Sequence, residues 1–578
     1  MKFPAPKVCC CSLVLLVLCA SGARSFALDR EAFSIPSYNL TLQIDPEQHR
    51  LGARGKVTLR NDSPAPQKIA VLQISSSLDW RAIKAGDKAV QFVRQPYTSD
   101  IDHTGGLSEA IVTLPQEVAP HGTIDLDIAY EGVILLDATR LTRIGTPDDL
   151  SKSTDWDQIG PDFTAVRGAG YVAWYPIATE AANLSEADLF EVLGRWKARA
   201  ASSEMTLVFE STKDSAILFS GTPNGFVVQA DQPAAKMAAF NMIRPGVNVP
   251  TFVLADYKKI DVKGISGVSF LPGNDAIAAA YADVLGSLNP LPGTGNPGRL
   301  QVAQLPDSSA APFVSEGLLL VPLKPMTEES RLTLVYAMGR QQARSPRPWI
   351  QEGLAHFAQM LDLEQQHGRK SALEYLLAHQ SLLADAERHP PSGEATGATE
   401  NGTPSSNGSL IDPRDDIYLQ SKAMWVWSML RDMVGDAPLN LLLSSYDATA
   451  DKSISYLQES LNKQTKRDLG WFFDDWVYHD RRLPDFKVES AFARKVTAQT
   501  FLVTITVDNL GGAGAEVPLT VKFAGGEETK RLEVRAKSKA VIRVETALPP
   551  LEVVVNDGSV PESDMTNNTY KIESIVAK

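Results

Sequence analysis

The chain has 578 residues, of which 44% are hydrophobic and 22% charged, and its formal net charge is −13 at pH 7. This composition is typical of a folded chain of several domains and is too apolar for wholesale disorder. Binding to nucleic acid needs basic patches, and the sequence shows none, so we expect no nucleic-acid partner.

The first predicted element is a signal peptide over residues 1–27. Lys2 and Lys7 precede the apolar run VCCCSLVLLVLCA, and small residues suited to cleavage follow it. The run is shorter than the roughly 20 residues that a membrane-spanning helix needs, and no later segment is a candidate span. We therefore expect an exported protein, periplasmic or extracellular, without a membrane span.

All four cysteines lie inside the predicted signal peptide. The mature chain is thus expected to have neither disulfides nor thiolate chemistry, which excludes cysteine nucleophiles and zinc sites built on cysteine. The sequence also has no Gly-x-Ser-x-Gly elbow and no phosphate-binding loop, so it does not predict a serine hydrolase or a nucleotide-binding site.

The hydrophobic pattern divides the rest of the chain into three predicted domains. Residues 28–262 contain alternating segments such as YNLTLQID and TIDLDIAYEG, which predict strands. Over 263–485 the period becomes that of a helix, with a small, polar stretch at 390–409 that predicts a mobile loop. Strand patterns return over 486–578 and predict a β-sandwich. The predicted fold class is multi-domain α+β.

Three segments resemble the zinc aminopeptidases of the membrane alanyl aminopeptidase family, which are gluzincins. The family's first strands resemble SYNLTLQIDPEQHRLGARGKVTLRND, and the end of its helical domain resembles DLGWFFDDWVYHDRRLPDFKVE. Its Trp-Leu-Asn-Glu-Gly-Phe-Ala segment resembles WIQEGLAHF. The resemblance implies an N-terminal β saddle, a central thermolysin-like helical domain and a C-terminal β module. It also implies that Glu352 occupies the position of the family's third protein ligand to zinc.

The zinc-binding motif HExxH of that family is absent from this sequence. It needs two histidines one helical turn apart and a glutamate that activates the zinc-bound water, but no two of the eight histidines are four residues apart. In the preceding predicted helix, Tyr336, Ala337 and Arg340 occupy the places of the first histidine, the base glutamate and the second histidine. The resemblance therefore implies a degenerate zinc site in which Glu352 is the only retained ligand position.

A buried Glu352 without a metal needs another cation, because an unpaired buried carboxylate is costly. Arg340 is always charged and can form two parallel hydrogen bonds with a carboxylate, so we expect it to pair with Glu352. The alternative interpretation of Glu352 is a glutamate in the first turn of a helix, favoured by the helix dipole and exposed to water.

Two further positions are possible remnants of the family's site. Glu316, in APFVSEGLLLVPL, matches the family glutamate that holds the substrate amino group, or else it is a solvated residue at a strand edge. Tyr418, in IYLQSKAMWVW, matches the tyrosine that stabilises the tetrahedral intermediate, although Lys422 follows it by four residues and not by the family's two. Its alternative is an aromatic residue that packs near Trp425 or Trp427 at the start of a helix.

His356 suggests an alternative metal site. His356 lies one helical turn after Glu352 and on the same face, which is a spacing suited to metal ligands. A third ligand and a general base would have to come from elsewhere in the chain. The other interpretation is a histidine whose nitrogens are satisfied by protein groups or by water.

The sequence leaves two functions open. The first is an exported, non-catalytic relative of the aminopeptidases, without a cofactor, whose cleft binds peptides or a protein partner. Losing both histidines and the base removes water activation together with general-base catalysis, which favours this function. The second is an active zinc metallo-aminopeptidase with a rearranged metal site.

Overall fold

The computed structural model of the protein describes residues 28–186, 188–224, 236–265, 267–294, 299–388, 408–413, 416–497, 500–573 and 575–576. The predicted signal peptide and nearly all of the predicted loop at 390–409 lie outside these ranges. The described chain is α+β, with several β-sheets and a group of long helices. None of the helices in these ranges is both long enough and apolar enough to cross a bilayer.

The first part of the chain forms mainly strands. In β1 the side chains of Leu40, Leu42 and Ile44 are buried and alternate with more exposed residues, which is the period of a sheet with one covered face. The largest sheet has the order β12-β13-β10-β1-β2-β8-β4-β5, and two smaller sheets have the orders β3-β7-β6 and β11-β14-β9. The strands are β1 (Phe33–Asp45), β2 (Arg50–Asn61), β3 (Gln67–Ser75), β4 (Leu78–Ala85), β5 (Lys88–Ala89), β6 (Gln91–Thr98), β7 (Gly106–Val118), β8 (Thr123–Val133), β9 (Phe163–Val166), β10 (Glu204–Ser211), β11 (Ala216–Phe219), β12 (Thr222–Pro223), β13 (Lys236–Ile243), β14 (Phe252–Ala255) and β15 (Lys258–Ile260).

Three short helices accompany these strands. They are α1 (Thr139–Thr142), α2 (Asp148–Thr154) and α3 (Leu189–Arg199). The helix α3 buries Leu189, Val192 and Trp196, which are spaced at three and four residues and therefore lie on one face.

The central part of the chain combines a five-stranded sheet with the long helices. The sheet has the order β15-β16-β17-β19-β18, so it includes β15, which precedes the predicted domain boundary at residue 262, and spans that boundary. Its remaining strands are β16 (Gly267–Phe270), β17 (Gln301–Leu305), β18 (Phe313–Ser315) and β19 (Leu318–Pro322). The helices are α4 (Asp275–Ser287), α5 (Glu328–Gln342), α6 (Pro348–His367), α7 (Arg369–Arg388), α8 (Asp416–Val434), α9 (Asp436–Ser445), α10 (Tyr456–Thr465) and α11 (Gly470–Phe473), and a π-helical turn (Asp474–Tyr478) follows α11.

The ends of α5 and α6 follow from their sequence. Thr327 is the N-cap of α5, and its side chain accepts a hydrogen bond from the backbone N–H of Ser330. Pro348 is the first residue of α6, where its missing N–H costs nothing, and Gly368 ends that helix with a φ of 87°. The helical period of the segments TEESRLTLVYAMGRQQ and PWIQEGLAHFAQMLDLEQQ predicts both helices to within a residue at each end, and the structure confirms them.

The helices α6 and α8 pack closely against each other at Gly353. A Cβ placed on Gly353 would lie 2.7 Å from Cδ1 of Trp427 and 2.8 Å from Cβ of Ala423. Trp427 is itself fully buried and stacks on Trp349, with ring centroids 5.7 Å apart. Any larger side chain at this position must push the two helices apart.

We expect Gly353→Ala to lower the free energy of unfolding by about 1–3 kcal/mol, because overpacking outweighs the better helix propensity of alanine. The matched control is Gly286→Ala in α4, where the nearest atom to an added Cβ is Cγ1 of Val262 at 3.4 Å. This control should be neutral or gain up to about 1 kcal/mol. Denaturant unfolding of both variants is the measurement, and equal effects would contradict the close packing described at Gly353.

The last part of the chain forms two four-stranded sheets, with the orders β24-β21-β20-β27 and β23-β22-β25-β26. The sheets contact each other, and buried valines such as Val503, Val521 and Val553 fill their inner faces. Trp476 joins this part to the helices, because its indole N–H donates to the carbonyl of Gly514 at 2.7 Å. The strands are β20 (Phe486–Lys495), β21 (Phe501–Asn509), β22 (Ala515–Phe523), β23 (Gly526–Val534), β24 (Lys539–Thr546), β25 (Pro550–Val555), β26 (Thr569–Lys571) and β27 (Ile575–Val576).

Candidate functional site

The start of α6 is held by a buried ion pair. Nε of Arg347, the N-cap residue, donates to both carboxylate oxygens of Asp451 at 2.8 and 2.9 Å. The Tyr446 hydroxyl donates to the same carboxylate at 2.6 Å, and the backbone N–H of Arg347 donates to the Ser345 hydroxyl at 3.0 Å. These contacts fix the first turns of α6, and with them the position of Glu352.

Two side chains of α5 meet Glu352 of α6. The Tyr336 hydroxyl donates to Oε2 of Glu352 at 2.5 Å, and Nε of Arg340 donates to Oε1 at 2.7 Å. The Arg340 and Glu352 side chains are only 6% and 12% exposed. Tyr336 and Arg340 are four residues apart and therefore point from the same face of α5, while Ala337 between them is fully buried in the core.

The electrostatics of this group favour an ionised Glu352. Burial alone would raise its pKa, but the Arg340 charge and the hydrogen bonds from Tyr336 and Arg340 outweigh burial and hold the pKa of Glu352 below its usual value. Burial and the adjacent Glu352 charge raise the pKa of Tyr336 well above its usual value. At neutral pH the group is therefore a carboxylate held by a neutral phenol and a guanidinium.

The structure places the Arg340 head group against Glu352, as expected from the sequence, but with a different geometry. The predicted pair of parallel bonds is absent, because only Nε of Arg340 bonds to the carboxylate and Tyr336 takes the other oxygen. Within the described ranges, Nη1 of Arg340 is buried without a hydrogen-bond partner. The interpretation of Glu352 as a water-exposed first-turn residue is wrong, since its side chain is largely buried.

The residues at this position do not fit a zinc ion. Zinc in proteins takes cysteine, histidine, aspartate or glutamate ligands, usually four in number with water included. Around Glu352, the two other converging side chains are a phenol and a guanidinium, and a guanidinium repels a cation and offers no lone pair. No group of three or more potential ligand side chains lies together among the residues that the structure describes.

His356 lies one turn further along α6, beneath the same group. Its ring is 4.9 Å from that of Tyr336, measured between centroids, and 6.3 Å from that of His379 on α7. Nδ1 lies 2.9 Å from Oε1 of Gln359, and burial lowers the pKa of His356, so the ring is neutral at physiological pH. Nδ1 of His356 thus has a protein partner, whereas Nε2 is buried without a hydrogen-bond partner among the described residues, so the expected fully satisfied histidine is found only in part.

Tyr418 belongs to a second buried polar group, on α8. Its hydroxyl donates to Oδ1 of Asp480 at 2.9 Å, and Nζ of Lys422 donates to the Tyr418 hydroxyl at 2.9 Å. Nζ of Lys422 also lies 3.3 Å from Oδ1 of Asp480. Tyr418 therefore contacts Lys422 despite the spacing that departs from the family, and Asp480 is the partner that the sequence did not indicate.

Glu316 follows β18 and lines a cavity of about 950 Å³. It accepts a hydrogen bond from the side-chain amide of Asn248 at 3.4 Å, and burial raises its pKa although Arg244 and Arg340 act in the opposite direction. Arg340 lines the same cavity and so connects it with Glu352. Glu316 is partly buried inside this cavity.

Sequence reasoning missed several residues of this region. Arg244 and Asn248 lie in the loop IRPGVNVP after β13, and Gln351 precedes Glu352 on α6; all three line the cavity. No motif marks Arg244 or Asn248, since they reach the cavity only through the packing of the first part of the chain on the central part. Gln351 could have been considered as the neighbour of Glu352, but one helix position turns a side chain by about 100°.

Comparison with known proteins gives distant structural likenesses. No family model matches the chain, and no curated protein matches it. Among solved structures, the M1 zinc metallopeptidase from Deinococcus radiodurans is similar over 78% of this chain and 96% of its own, with 16% identity and a TM-score of 0.47. A point variant of that protein bound to a Tyr-Ser-Ala substrate gives 17% identity over the same shares of the two chains and a TM-score of 0.46. Sequence identity this low assigns no activity to this chain.

Proposed function

We propose that this chain is an exported, aminopeptidase-like protein whose metal position has been taken over by a guanidinium, and that it binds peptides or a protein partner without cleaving them. In this proposal the first strands form the saddle, the central helices the former metal-binding domain and the last two sheets the β-sandwich. The motif resemblance around Glu352 supports this arrangement.

The observation that carries the proposal is the contact of Tyr336 and Arg340 with Glu352. Both residues stand where the resemblance expects metal-binding histidines, and both direct a polar head group at the expected third ligand. A zinc ion would compensate the Glu352 charge and activate a water molecule, whereas Arg340 provides only the first of these effects. Ala337, at the place of the base, has no group that accepts a proton.

The cavity beside this group supports a binding role. Its volume of about 950 Å³ is at the upper end of the range typical of ligand sites. Its wall combines apolar side chains, such as Phe219 and Phe240, with polar ones, such as Glu316 and Asn248. That combination is typical of sites that bury an apolar ligand and orient it through a few polar contacts.

The test is metal analysis of the purified protein together with an assay on aminoacyl-anilide substrates. We expect zinc well below one equivalent and no turnover that a chelator abolishes. Stoichiometric zinc with chelator-sensitive turnover would contradict the proposal and would favour the second candidate, an active zinc aminopeptidase with a rearranged site. An active M1 aminopeptidase assayed in parallel shows that the assay detects turnover.

A further inference from the structure

The cavity wall has an excess of positive charge. Among the residues that the structure describes, its lining includes four arginines, Arg244, Arg299, Arg340 and Arg344, and one carboxylate, Glu316. Glu352 is not part of the cavity lining, but its Oε1 lies 2.7 Å from Nε of Arg340 and compensates the Arg340 charge. The whole chain is acidic, with a net charge of −13, so a cavity lined by more arginines than carboxylates differs in charge from the chain as a whole.

The Glu316 charge acts on Arg244 and Arg340, but its carboxylate forms no direct ion pair with either. In the ranges that the structure describes, neither Arg244 nor Arg340 lies within ion-pair distance of its carboxylate, and the hydrogen bond that it accepts comes from Asn248. Burial lowers the pKa of Arg244; the Glu316 charge acts against this lowering, and the Arg340 charge adds to it. Because Glu316 accepts no direct bond from either guanidinium, a ligand anion that bonds to both would stabilise them further.

The wall also contains buried polar atoms that lack partners. Nη1 of Arg340 is an unpaired donor, and Oδ1 of Asn248 and Oε1 of Gln351 are unpaired acceptors within the described part of the chain. The three residues Arg340, Asn248 and Gln351 are only 5%, 1% and 7% exposed, respectively. Buried polar groups nearly always have partners, so unpaired atoms on residues that line a cavity indicate a missing polar partner, such as a ligand group or water.

The unpaired atoms and the charge together define one ligand chemistry. A carboxylate suits the guanidinium groups of Arg244 and Arg340, whereas N–H donors suit the amide oxygens of Asn248 and Gln351. The apolar part of the wall, including Ile217, Phe219 and Phe240, suits hydrocarbon side chains. A short peptide with an acidic side chain supplies the carboxylate, the N–H donors and the hydrocarbon side chains.

We propose that the cavity selects acidic peptides, with the ligand carboxylate bound by Arg244 and Arg340 and backbone N–H groups of the ligand bound by Asn248 and Gln351. This inference rests on the proposed function, because it names the ligand class of the same cleft. It predicts a preference for negative charge, which a cleft that only recognises peptide backbone would not have.

The experiment uses three capped peptides that differ at one position, acetyl-Leu-Ala-Xaa-Ala-Leu-amide with Glu, Gln or Lys as Xaa. Calorimetric titration of the full mature chain should give an affinity for the Glu peptide about tenfold to a hundredfold higher than for the Gln peptide, since a charged hydrogen bond contributes about 1.5–3 kcal/mol. The Lys peptide should bind most weakly. Added salt should reduce the difference between the Glu and Gln peptides.

Variants assign the preference to the cavity. Arg244→Gln should reduce the affinity for the Glu peptide to that for the Gln peptide and leave the Gln peptide unaffected. The matched control is Arg494→Gln, an exposed arginine of β20 that does not line the cavity, which should change none of the three affinities. Arg344→Gln serves as a second cavity variant, because Arg344 is exposed and its replacement does not disturb the core.

The outcomes separate this inference from the proposed function. Equal affinities for the three peptides, or tighter binding of the Lys peptide, would overturn the acidic preference and leave peptide binding intact. Failure of all three peptides to bind would overturn the inference and also contradict the peptide-binding half of the proposed function. Stoichiometric zinc with turnover would contradict only the non-catalytic half.

Discussion

Arg340→Met should lower the free energy of unfolding by about 3–5 kcal/mol at neutral pH, because it leaves the largely buried Glu352 without a compensating charge. Methionine has a length similar to that of the arginine stem, so the change removes the guanidinium and keeps most of the packing. Denaturant unfolding monitored by tryptophan fluorescence measures the loss. An exposed pair is the matched control: Arg94 donates one hydrogen bond to Asp79 at 2.9 Å, and Arg94→Met should cost less than about 1 kcal/mol.

The double variant Arg340→Met with Glu352→Gln identifies the cause of the stability loss in Arg340→Met. If the uncompensated charge is responsible, removing that charge restores much of the stability that the single variant lost. If the loss arises from packing alone, the double variant is as unstable as the single one, and the ion pair does not have the compensating role that its geometry indicates.

The stability difference should also depend on pH. In the wild-type chain the pKa of Glu352 is lowered by Arg340, so the contribution of the pair is present above the unfolded-state pKa of about 4.3 and is lost as the pH falls through the lower folded value. In Arg340→Met, burial raises the pKa of Glu352, so this variant loses stability as the pH rises through that raised value. The difference between the two proteins should therefore be largest at neutral pH and shrink toward about pH 4. A stability difference between the two proteins that does not change with pH would contradict its assignment to the charge of Glu352.

Two substitutions, Tyr336→His and Arg340→His, should give the chain a zinc site. Both positions already direct their side chains at Glu352, with contacts of 2.5 and 2.7 Å. Imidazole is shorter than either present side chain, so its nitrogen would stop short of the carboxylate and leave space for an ion bound by two histidines and one glutamate. At a hundredfold excess of free zinc over the dissociation constant, the metal should stabilise the fold by about 2.7 kcal/mol.

Metal analysis and thermal unfolding with and without zinc test this prediction. The same double variant with Glu352→Ala is the control, and it should lose the zinc response because only two ligands remain. Adding Ala337→Glu to the double variant would supply the missing base, and anilide turnover by that triple variant would show that the chain still binds substrate. No zinc uptake by the double variant would mean that the three positions do not converge as described.

Local features of the site could be predicted from the sequence. The periodicity of TEESRLTLVYAMGRQQ and PWIQEGLAHFAQMLDLEQQ predicted α5 and α6 to within a residue at each end, and the spacing of four residues placed Tyr336 and Arg340 on one face. The motif resemblance then paired that face with Glu352, and the structure has this contact. Each of these predictions depends on residues that are close in the sequence or on the single pair of helices α5 and α6.

Features that depend on distant packing could not be predicted. Asp480 is 58 residues from Lys422, and nothing in either segment indicates the other. The cavity residues Arg244 and Asn248 meet Arg340 only because a loop of the first part of the chain packs on the central helices. The form of the Arg340 contact was also missed, because the sequence could not show that Tyr336 would donate to the second carboxylate oxygen.

Because Arg340 pairs with Glu352, the chain supplies its own positive charge at the position where the resemblance to the zinc aminopeptidases implies a metal ion. A metal ion is acquired after synthesis, competes with other ions and can be stripped by a chelating host or medium, whereas a guanidinium is encoded in the chain and stays protonated throughout the physiological pH range. Folding around Glu352 therefore needs no metal loading, and scarcity of zinc in the surroundings would leave this part of the fold unchanged.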